Sequence, residues 1–308
     1  MDGIIASRIT EAREARALSM GDLADSIVVT RQAISKYERG IINPSIEVLQ
    51  AISNKLEFPI EFFYKNEAII TAKSSALFFR SNSSIAKKVK NACKYQVKWT
   101  DEIKKQLDNY VDFLKHEVPT IDTDYENLSL EDIEELALSI RKSWDLGDDP
   151  LKDLVGILEN RGIILSQFAI NKQCEFKGID AFSAWEDGTP YILYHSVPKS
   201  AVRTRFSILH ELGHLIMHSS ISDEDSIKKE IVDLADLQAD RFAAAFLLPA
   251  TSFPKEIRGT SLIFLKILKE KWGAAMSTII KRCETLELLS ENQINYLKRQ
   301  MTTNKYWH

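Results

Sequence analysis

Residues 205–218 read RFSILHELGHLIMH, and this stretch decides how the second half of the 308-residue chain is interpreted. Its apolar residues recur at helical spacing, which predicts a helix. Because an α-helix turns once in about 3.6 residues, His210 and His214 are predicted to lie one turn apart on the same face. Two imidazoles in that arrangement can bind a single metal ion.

Zinc is the ion that this pair predicts, since zinc binds neutral imidazole nitrogen and leaves a fourth position open for water. Mn²⁺ or another divalent ion is the alternative. Glu211, next to the first histidine, is predicted to be the catalytic base that takes a proton from this water. A third protein ligand is needed before these five residues make a catalytic site.

Candidates for the third ligand lie on a second predicted helix, which reads EIVDLADLQAD over residues 230–240. Asp233, Asp236 and Asp240 share one face of that helix, at i, i+3 and i+7. Asp236 is the preferred metal ligand, and the other two remain open. A solvated acidic face is the alternative interpretation of all three.

Together, HELGHLIMH at 210–218 and QADRFAAAFLLP at 238–249 resemble the two motifs of the ImmA/IrrE family of metallopeptidases. The resemblance implies a zincin-like peptidase domain that cleaves a partner transcriptional repressor. It also implies a third ligand four residues before Asp240. The family typically has glutamate at that position, whereas this chain has Asp236. Aspartate is shorter by one methylene, so its helix has to lie closer to the ion.

A small sheet is predicted before the motif helix. Residues Gly162–Phe168 are β-rich, and Ala181–Trp185 with Tyr191–Tyr194 form a predicted hairpin. The strand Thr189–Tyr194 is expected to offer an edge to which an extended peptide could add. Further helices are predicted over 129–144, from Pro150 to about Asn160, over 223–247, 261–272 and 274–287, and briefly from Ser290.

Two other groups are weighed as parts of the site. His195, with Tyr194, could donate a hydrogen bond to the oxyanion that develops on a cleaved carbonyl, so His195 is a second candidate catalytic residue. His218 follows His210 by eight residues, which places it about 80° around the helix. It is therefore predicted to pack or cap rather than to bind the metal.

The first 64 residues predict four or five short helices, among them a helix-turn-helix with Ser19 and Thr30 as helix caps. The second helix of such a pair enters the major groove of double-stranded DNA. Arg31 and Gln32 are the candidate base contacts, and Thr30, Ser35 and Lys36 the candidate phosphate contacts. The layout, including ISKYERG at 34–40, resembles the Xre/Cro-type helix-turn-helix family.

Two positions depart from that family's pattern, and the charge of the module is unfavourable for DNA. Met20 replaces a frequent glutamine after the cap, and Val28 replaces a frequent turn glycine, where a left-handed backbone would be strained. Residues 1–65 hold eight Lys and Arg against nine Asp and Glu, a balance of −1. Phosphate neutralisation supplies most nonspecific affinity, so a possible homodimer or a partner would have to add to it. A protein-docking module is the alternative.

The predicted fold class is α+β and mostly helical. A helix-turn-helix domain (1–68) is followed by a helical linker (69–128), which includes an amphipathic helix within 85–118 and the segment Phe78-Phe79 as a docking strand or turn. The zinc peptidase domain spans 129–308. Three separated cysteines, Cys93, Cys174 and Cys283, and the lack of an apolar leader or spanning segment predict a cytoplasmic protein without membrane contact.

These observations predict a zinc-dependent endopeptidase and transcriptional regulator that cleaves a partner repressor and binds DNA. One alternative is a DNA-binding regulator or antitoxin-like protein whose peptidase fold senses or docks a partner with little or no proteolysis. Another is a zinc hydrolase that acts on a non-peptide bond. The intact His210, Glu211 and His214 favour the endopeptidase.

Overall fold

The computed structural model describes residues 3–65, 78–79, 87–121, 124–168, 179–195, 200–221, 229–304 and 306. The chain divides into two compact units. The first comprises residues 1–74, 84–112 and 168–178, and the second comprises residues 75–83, 113–167 and 179–308. Cys174 and most of the segment around Phe78-Phe79 lie outside the described residues.

The first unit is helical. Its helices are α1 (Ala6–Ala15), α2 (Met20–Ser26), α3 (Arg31–Glu38), α4 (Ile46–Leu56) and α5 (Lys87–Leu107), with a 3₁₀ turn at Ile60–Tyr64. Both predicted caps are confirmed: the Ser19 side chain accepts a hydrogen bond from the Asp22 N–H, and the Thr30 side chain accepts one from the Ala33 N–H. Such caps satisfy the free N–H groups that start a helix. The core between α1 to α4 is apolar and includes Ile9, Leu23, Ile34, Leu49 and Phe63.

Helix α5 packs against α1 through polar contacts. Glu11 of α1 is buried and accepts a hydrogen bond from Trp99 Nε1 at 2.7 Å. Lys98 and Arg8 bring positive charge to the same carboxylate. The helix predicted within 85–118 therefore exists, ends at Leu107, and is joined to the helix-turn-helix unit by a buried carboxylate.

The turn between α2 and α3 is strained at Val28. Its φ is 58° and its side chain is 92% exposed, so a β-branched residue occupies the left-handed region without gaining any packing. That conformation costs an L-residue about 1–2 kcal/mol. We expect Val28→Gly to stabilise the unit by about 1 kcal/mol, less than the full strain because glycine loses more entropy on folding.

Native-state hydrogen exchange of the α2 and α3 amides measures this local stability. Val28→Ala is the control, since alanine keeps the positive-φ penalty while removing the β-branch. Equal protection in the glycine and alanine variants would show that the φ angle carries no cost.

The second unit combines a small sheet with helices. Its strands are β1 (Phe78–Phe79), β2 (Ile164–Phe168), β3 (Ala181–Glu186) and β4 (Thr189–His195), and its helices are α6 (Leu130–Ser143), α7 (Leu154–Glu159), α8 (Ala201–Met217), α9 (Lys229–Leu247), α10 (Leu262–Trp272), α11 (Met276–Thr285) and α12 (Glu291–Thr303). The predicted mostly helical α+β class is confirmed. Helix α8 packs against α9 and against β3 and β4, and α9 also packs against α6.

The predicted hairpin is confirmed, but its second strand is not an edge. Strands β3 and β4 pair antiparallel around Asp187 and Gly188, whose φ values of 48° and 73° suit a tight hairpin turn. The strand order is β1-β3-β4-β2, so β4 is flanked on both sides. The expectation that Thr189–Tyr194 offers an edge to a peptide was therefore wrong, because β2 covers that side.

Other boundaries also differ from the prediction. Helix α7 begins at Leu154 rather than at Pro150, since the Asp153 side chain caps it by accepting from the Gly156 N–H at 3.0 Å. The helix capped by Ser290 runs through Thr303 and is not short. Phe78-Phe79 does form a strand, which pairs antiparallel with β3 in the register Phe78↔Ser183. Among the described residues, no helix is both long and apolar enough to cross a membrane.

Candidate metal centre

The motif helix α8 is buried along most of its length, and every residue from Phe206 to Met217 is buried. His210, Glu211 and His214 are each at most 1% exposed. Buried ionisable groups are costly unless they are paired, hydrogen-bonded or bound to a metal. The contacts of these three side chains therefore indicate whether they are suited to bind a metal ion.

Three ligand atoms converge at this point. His210 Nε2 and His214 Nε2 are 3.0 Å apart, and Asp236 Oδ1 lies 3.8 Å from the first and 3.4 Å from the second. A point equidistant from the three atoms lies about 2.0 Å from each, which matches zinc–nitrogen and zinc–oxygen distances of about 2.0–2.2 Å. Two imidazoles and one carboxylate with a position left for water are also the donor set of catalytic zinc. The residues present fit a zinc ion.

A glycine in the motif explains how the short aspartate reaches the histidines. A Cβ added at Gly213 would lie 3.2 Å from Phe242 Cδ1 and 3.3 Å from Ala239 Cα. Both distances are tighter than ordinary contacts, so the missing side chain lets α8 and α9 approach closely. This close packing allows the short side chain of Asp236 to approach both imidazole rings.

The three candidate carboxylates have different surroundings. Asp236 faces both imidazole nitrogens, whereas Asp240 Oδ1 contacts His210 Nδ1 at 2.8 Å, on the far side of that ring. A carboxylate in this place typically orients a metal-binding histidine and fixes its tautomer. Asp233 is exposed. Of the three carboxylates, Asp236 is the one grouped with both imidazole nitrogens, and Asp240 lies behind the His210 ring.

Burial and the mutual contacts of His210, His214 and Asp236 shift the pKa values of all three side chains. Burial lowers the pKa of His214 to about 3, and the neighbouring His210 works in the same direction. Burial also opposes a charge on His210, but hydrogen bonds to Asp236 and Asp240 outweigh it and raise the pKa of His210 to about 9. The two histidines in turn lower the pKa of Asp236 to about 2, although burial acts in the opposite direction. The carboxylates therefore favour a proton on His210, whereas burial keeps His214 neutral.

Glu211 is held by a residue that the sequence did not single out. Ser183 Oγ, on β3 and fully buried, donates a hydrogen bond to Glu211 Oε2 at 2.8 Å. The contact fixes one carboxylate oxygen. No motif marks Ser183, because its role depends on the packing of β3 against α8.

His218 lies beside the cluster rather than in it. Its Nδ1 is 3.0 Å from His214 Nδ1, and its Nε2 is 2.9 Å from Gln238 Oε1. The prediction that His218 packs in the interior agrees with this position. Gln238 is another residue that the sequence did not reveal.

His195 and Tyr194 are half-buried at the end of β4. Tyr194 Oη accepts a hydrogen bond from Gln167 Nε2 at 3.1 Å, and the His195 backbone N–H donates to the Asp180 carbonyl at 3.0 Å. These contacts do not tie either side chain to the cluster. Their part in stabilising an oxyanion stays a prediction.

The candidate DNA contacts extend from Thr30, the N-cap of α3, to Lys36 in its last turn. Arg31, Gln32 and Lys36 are exposed, and Ser35 is half-buried. Thr30 Oγ1 already accepts the Ala33 N–H at 3.1 Å as the helix cap, although a hydroxyl in that place can still donate to a phosphate. The exposed first turn is where a recognition helix presents its base contacts.

Comparison with known families agrees with this division. Residues 9–63 match the family model for a helix-turn-helix, and residues 172–284 match the peptidase-family model described as an IrrE N-terminal-like domain. The chain fuses a helix-turn-helix domain to an ImmA/IrrE-type peptidase domain. All members of the His210, His214 and Asp236 cluster lie within the ImmA/IrrE-type match, as does Glu211.

One curated relative matches the chain over a short stretch. Over 52 residues, the chain is 42% identical to the "Putative HTH-type transcriptional regulatory protein" of Methanocaldococcus jannaschii. The match covers 17% of this chain and 16% of that protein. The chain thus spans only a small part of that relative's length. The match to the helix-turn-helix family indicates DNA binding in transcription regulation. The match to the IrrE N-terminal-like family indicates a peptidase-like domain of a family that is typically metal-dependent.

Proposed function

We propose that the protein is a zinc-dependent endopeptidase and transcriptional regulator that cleaves a partner repressor. His210, His214 and Asp236 would hold the ion. The observation that carries this proposal is the convergence of two imidazole nitrogens and one carboxylate oxygen around a point of zinc-binding dimensions. The ImmA/IrrE-type domain match supports a peptidase reaction.

The residues around the cluster supply the proton transfers of peptide hydrolysis. A bound zinc ion would polarise the substrate carbonyl and acidify a water molecule. Glu211 would take a proton from the attacking water as the water oxygen adds to the carbonyl carbon. The same carboxylate returns the proton to the amine nitrogen as the C–N bond breaks. Ser183 holds the Glu211 carboxylate in place through its hydrogen bond to Oε2.

Zinc binding tests the ligand assignment with a matched pair of aspartates. We expect Asp236→Asn to lower zinc affinity by more than about 100-fold, because changes to supporting residues alone cost 10–100-fold. Asp233→Asn is the control, since Asp233 is exposed on the same helix. Competition titration against a chromogenic chelator measures both. An equal loss in the two variants would reject Asp236 as the third ligand.

Cleavage tests the function itself. Zinc-loaded protein is incubated with candidate repressor proteins, and the products are identified by mass spectrometry. We expect a single cut that stops after metal removal and returns when zinc is restored. Zinc-loaded protein that leaves repressors intact would instead support the regulator that docks a partner without proteolysis.

We also propose that α3 binds double-stranded DNA, through Arg31 and Gln32 at base edges and through Thr30, Ser35 and Lys36 at phosphates. The exposure of the first turn of α3 supports this proposal. Described residues 3–65 are close to neutral, so a homodimer would supply the additional phosphate contacts that affinity requires.

Binding to an operator selected from random DNA tests this assignment. Arg31→Ala is expected to weaken specific binding by about 1–3 kcal/mol and to relax the preference at one base pair. Lys94→Ala is the control, since Lys94 is an exposed cation on α5. Fluorescence anisotropy at fixed salt measures both. A larger loss with Lys94→Ala would place the DNA contact on α5 instead.

A further inference from the structure

A chain of buried polar groups leads away from His214. His214 Nδ1 contacts His218 Nδ1 at 3.0 Å, and His218 Nε2 contacts Gln238 Oε1 at 2.9 Å. Gln238 Nε2 then donates to the Tyr125 backbone carbonyl at 2.7 Å. His218 and Gln238 are at most 1% exposed. We call these contacts the Tyr125–His214 relay.

The backbone carbonyl of Tyr125, at the end of the relay away from His214, fixes which group donates in every hydrogen bond of the relay. A backbone carbonyl can only accept, so Gln238 must turn its amide NH₂ toward Tyr125 and its oxygen toward His218. That oxygen can only accept, so His218 must carry its proton on Nε2. A neutral His218 then has a lone pair on Nδ1, which accepts from His214 Nδ1–H.

The outcome at His214 is the tautomer that a metal ligand needs. With its proton on Nδ1, His214 directs the Nε2 lone pair toward His210 Nε2 and Asp236 Oδ1. Asp240 acts likewise on His210, because a carboxylate at 2.8 Å accepts from Nδ1–H. Both histidines are thus oriented by acceptors on their far sides, but His214 is oriented by a backbone carbonyl through two intervening side chains.

We propose that Gln238, acting through His218, is a positioning residue that fixes the tautomer of His214 and thereby sets the affinity of the centre for its metal. The inference rests on the proposed metal site. Gln238 is linked to His214 through His218, by the contacts His218 Nε2 to Gln238 Oε1 and His218 Nδ1 to His214 Nδ1. Their effect passes entirely through His214 Nδ1.

Packing alone does not account for this pair. A buried donor or acceptor left without a partner costs about 1–3 kcal/mol, and apolar side chains would fill the same space without that risk. The ring of His218 is also held edge-on against Tyr125, with centroids 5.7 Å apart. This contact restricts the orientation of the His218 ring. The relay requires that orientation, because one ring nitrogen has to face His214 and the other Gln238.

Gln238→Met tests the relay. Methionine is close to glutamine in size but has no amide oxygen to accept the hydrogen bond from His218 Nε2–H. Without that acceptor, His218 can carry its proton on Nδ1 and donate to His214, which moves the His214 proton to Nε2. We expect ¹⁵N chemical shifts of labelled histidine in the metal-stripped full chain to show this exchange. Zinc affinity is expected to fall 10–100-fold.

Two further variants keep the result interpretable. Ser207→Ala removes a hydrogen bond made by another buried side chain of α8, from Ser207 Oγ to the Arg203 carbonyl at 3.0 Å, and should leave the tautomers and zinc affinity unchanged. At position 218, His218→Gln can accept from His214 and donate to Gln238, whereas His218→Leu can do neither. We expect the glutamine variant to keep zinc affinity within a few-fold of wild type and the leucine variant to lose 10–100-fold.

The outcomes separate the relay from the metal site. Wild-type zinc binding with an unchanged His214 tautomer and affinity in Gln238→Met would overturn the relay and leave the proposed function standing. If that variant does not fold, equal affinities for His218→Gln and His218→Leu would overturn it. Wild-type protein that binds no zinc would overturn the proposed function, and this inference with it.

Discussion

Replacing Glu211 with glutamine is expected to slow repressor cleavage by about 10²–10⁴-fold, the contribution of a positioned acid–base group. Glutamine has the same shape but cannot accept a proton from water at neutral pH. Ser183 Oγ can still donate to the amide oxygen of glutamine, so the buried contact that holds the side chain is kept. Single-turnover cleavage of the repressor by zinc-loaded protein measures the rate.

Zinc affinity separates a catalytic role for Glu211 from a structural one. The glutamine variant should bind zinc about as well as wild type, whereas His214→Ala should lose both zinc and cleavage. A Glu211→Gln protein that cleaves at the wild-type rate would show that another group is the base. Loss of zinc in that variant would show that Glu211 maintains the site instead.

The second large effect is on stability. Glu134 of α6 pairs with Arg282 of α11, whose side chain is completely buried and also donates to the Leu248 carbonyl at 2.9 Å. The Arg282 Nη2 to Glu134 Oε2 distance is 2.7 Å. Glu134→Ala leaves this guanidinium buried without its carboxylate, and we expect a loss of about 3 kcal/mol in the free energy of unfolding.

Urea-induced unfolding of the second unit measures that loss. Glu284→Ala is the matched control, because Glu284 pairs with Lys298 at 3.0 Å on the surface of α11. Exposed pairs contribute about 1 kcal/mol or less. If the two alanine variants had the same free energy of unfolding, the buried Glu134–Arg282 pair would contribute no more to stability than the exposed pair.

Local signals in the sequence were sufficient for much of the fold. Ser19, Thr30 and Ser129 begin helices where their side chains can cap them, and Asp187 and Gly188 allow the positive φ angles of a hairpin turn. Each of these rules acts within a few residues. The spacing of His210 and His214 is of the same kind, since one helical turn brings the two rings together.

Signals that depend on distant parts of the chain were not readable. The strand order places β2 against β4, and no local pattern in 189–195 shows which neighbour covers it. Ser183 and Gln238 matter because β3 and α9 pack against α8, and in the sequence each is one polar residue among many. The start of α7 was misplaced for a smaller reason: Asp149 and Asp153 are both aspartates that could cap a helix, and in the structure it is Asp153 whose side chain accepts from the Gly156 N–H.

The close approach at Gly213 has a consequence for which ions the centre can accept. Aspartate has one torsion fewer than glutamate, so its carboxylate has a shorter reach, and α8 and α9 are already closely packed at Gly213. The spacing of the two helices therefore limits the distance between the Asp236 carboxylate and the two imidazole nitrogens, and so the radius of the ion that fits between them. We expect the centre to favour ions of the size of zinc over larger ones such as Ca²⁺, whose ligand distances are about 2.3–2.6 Å.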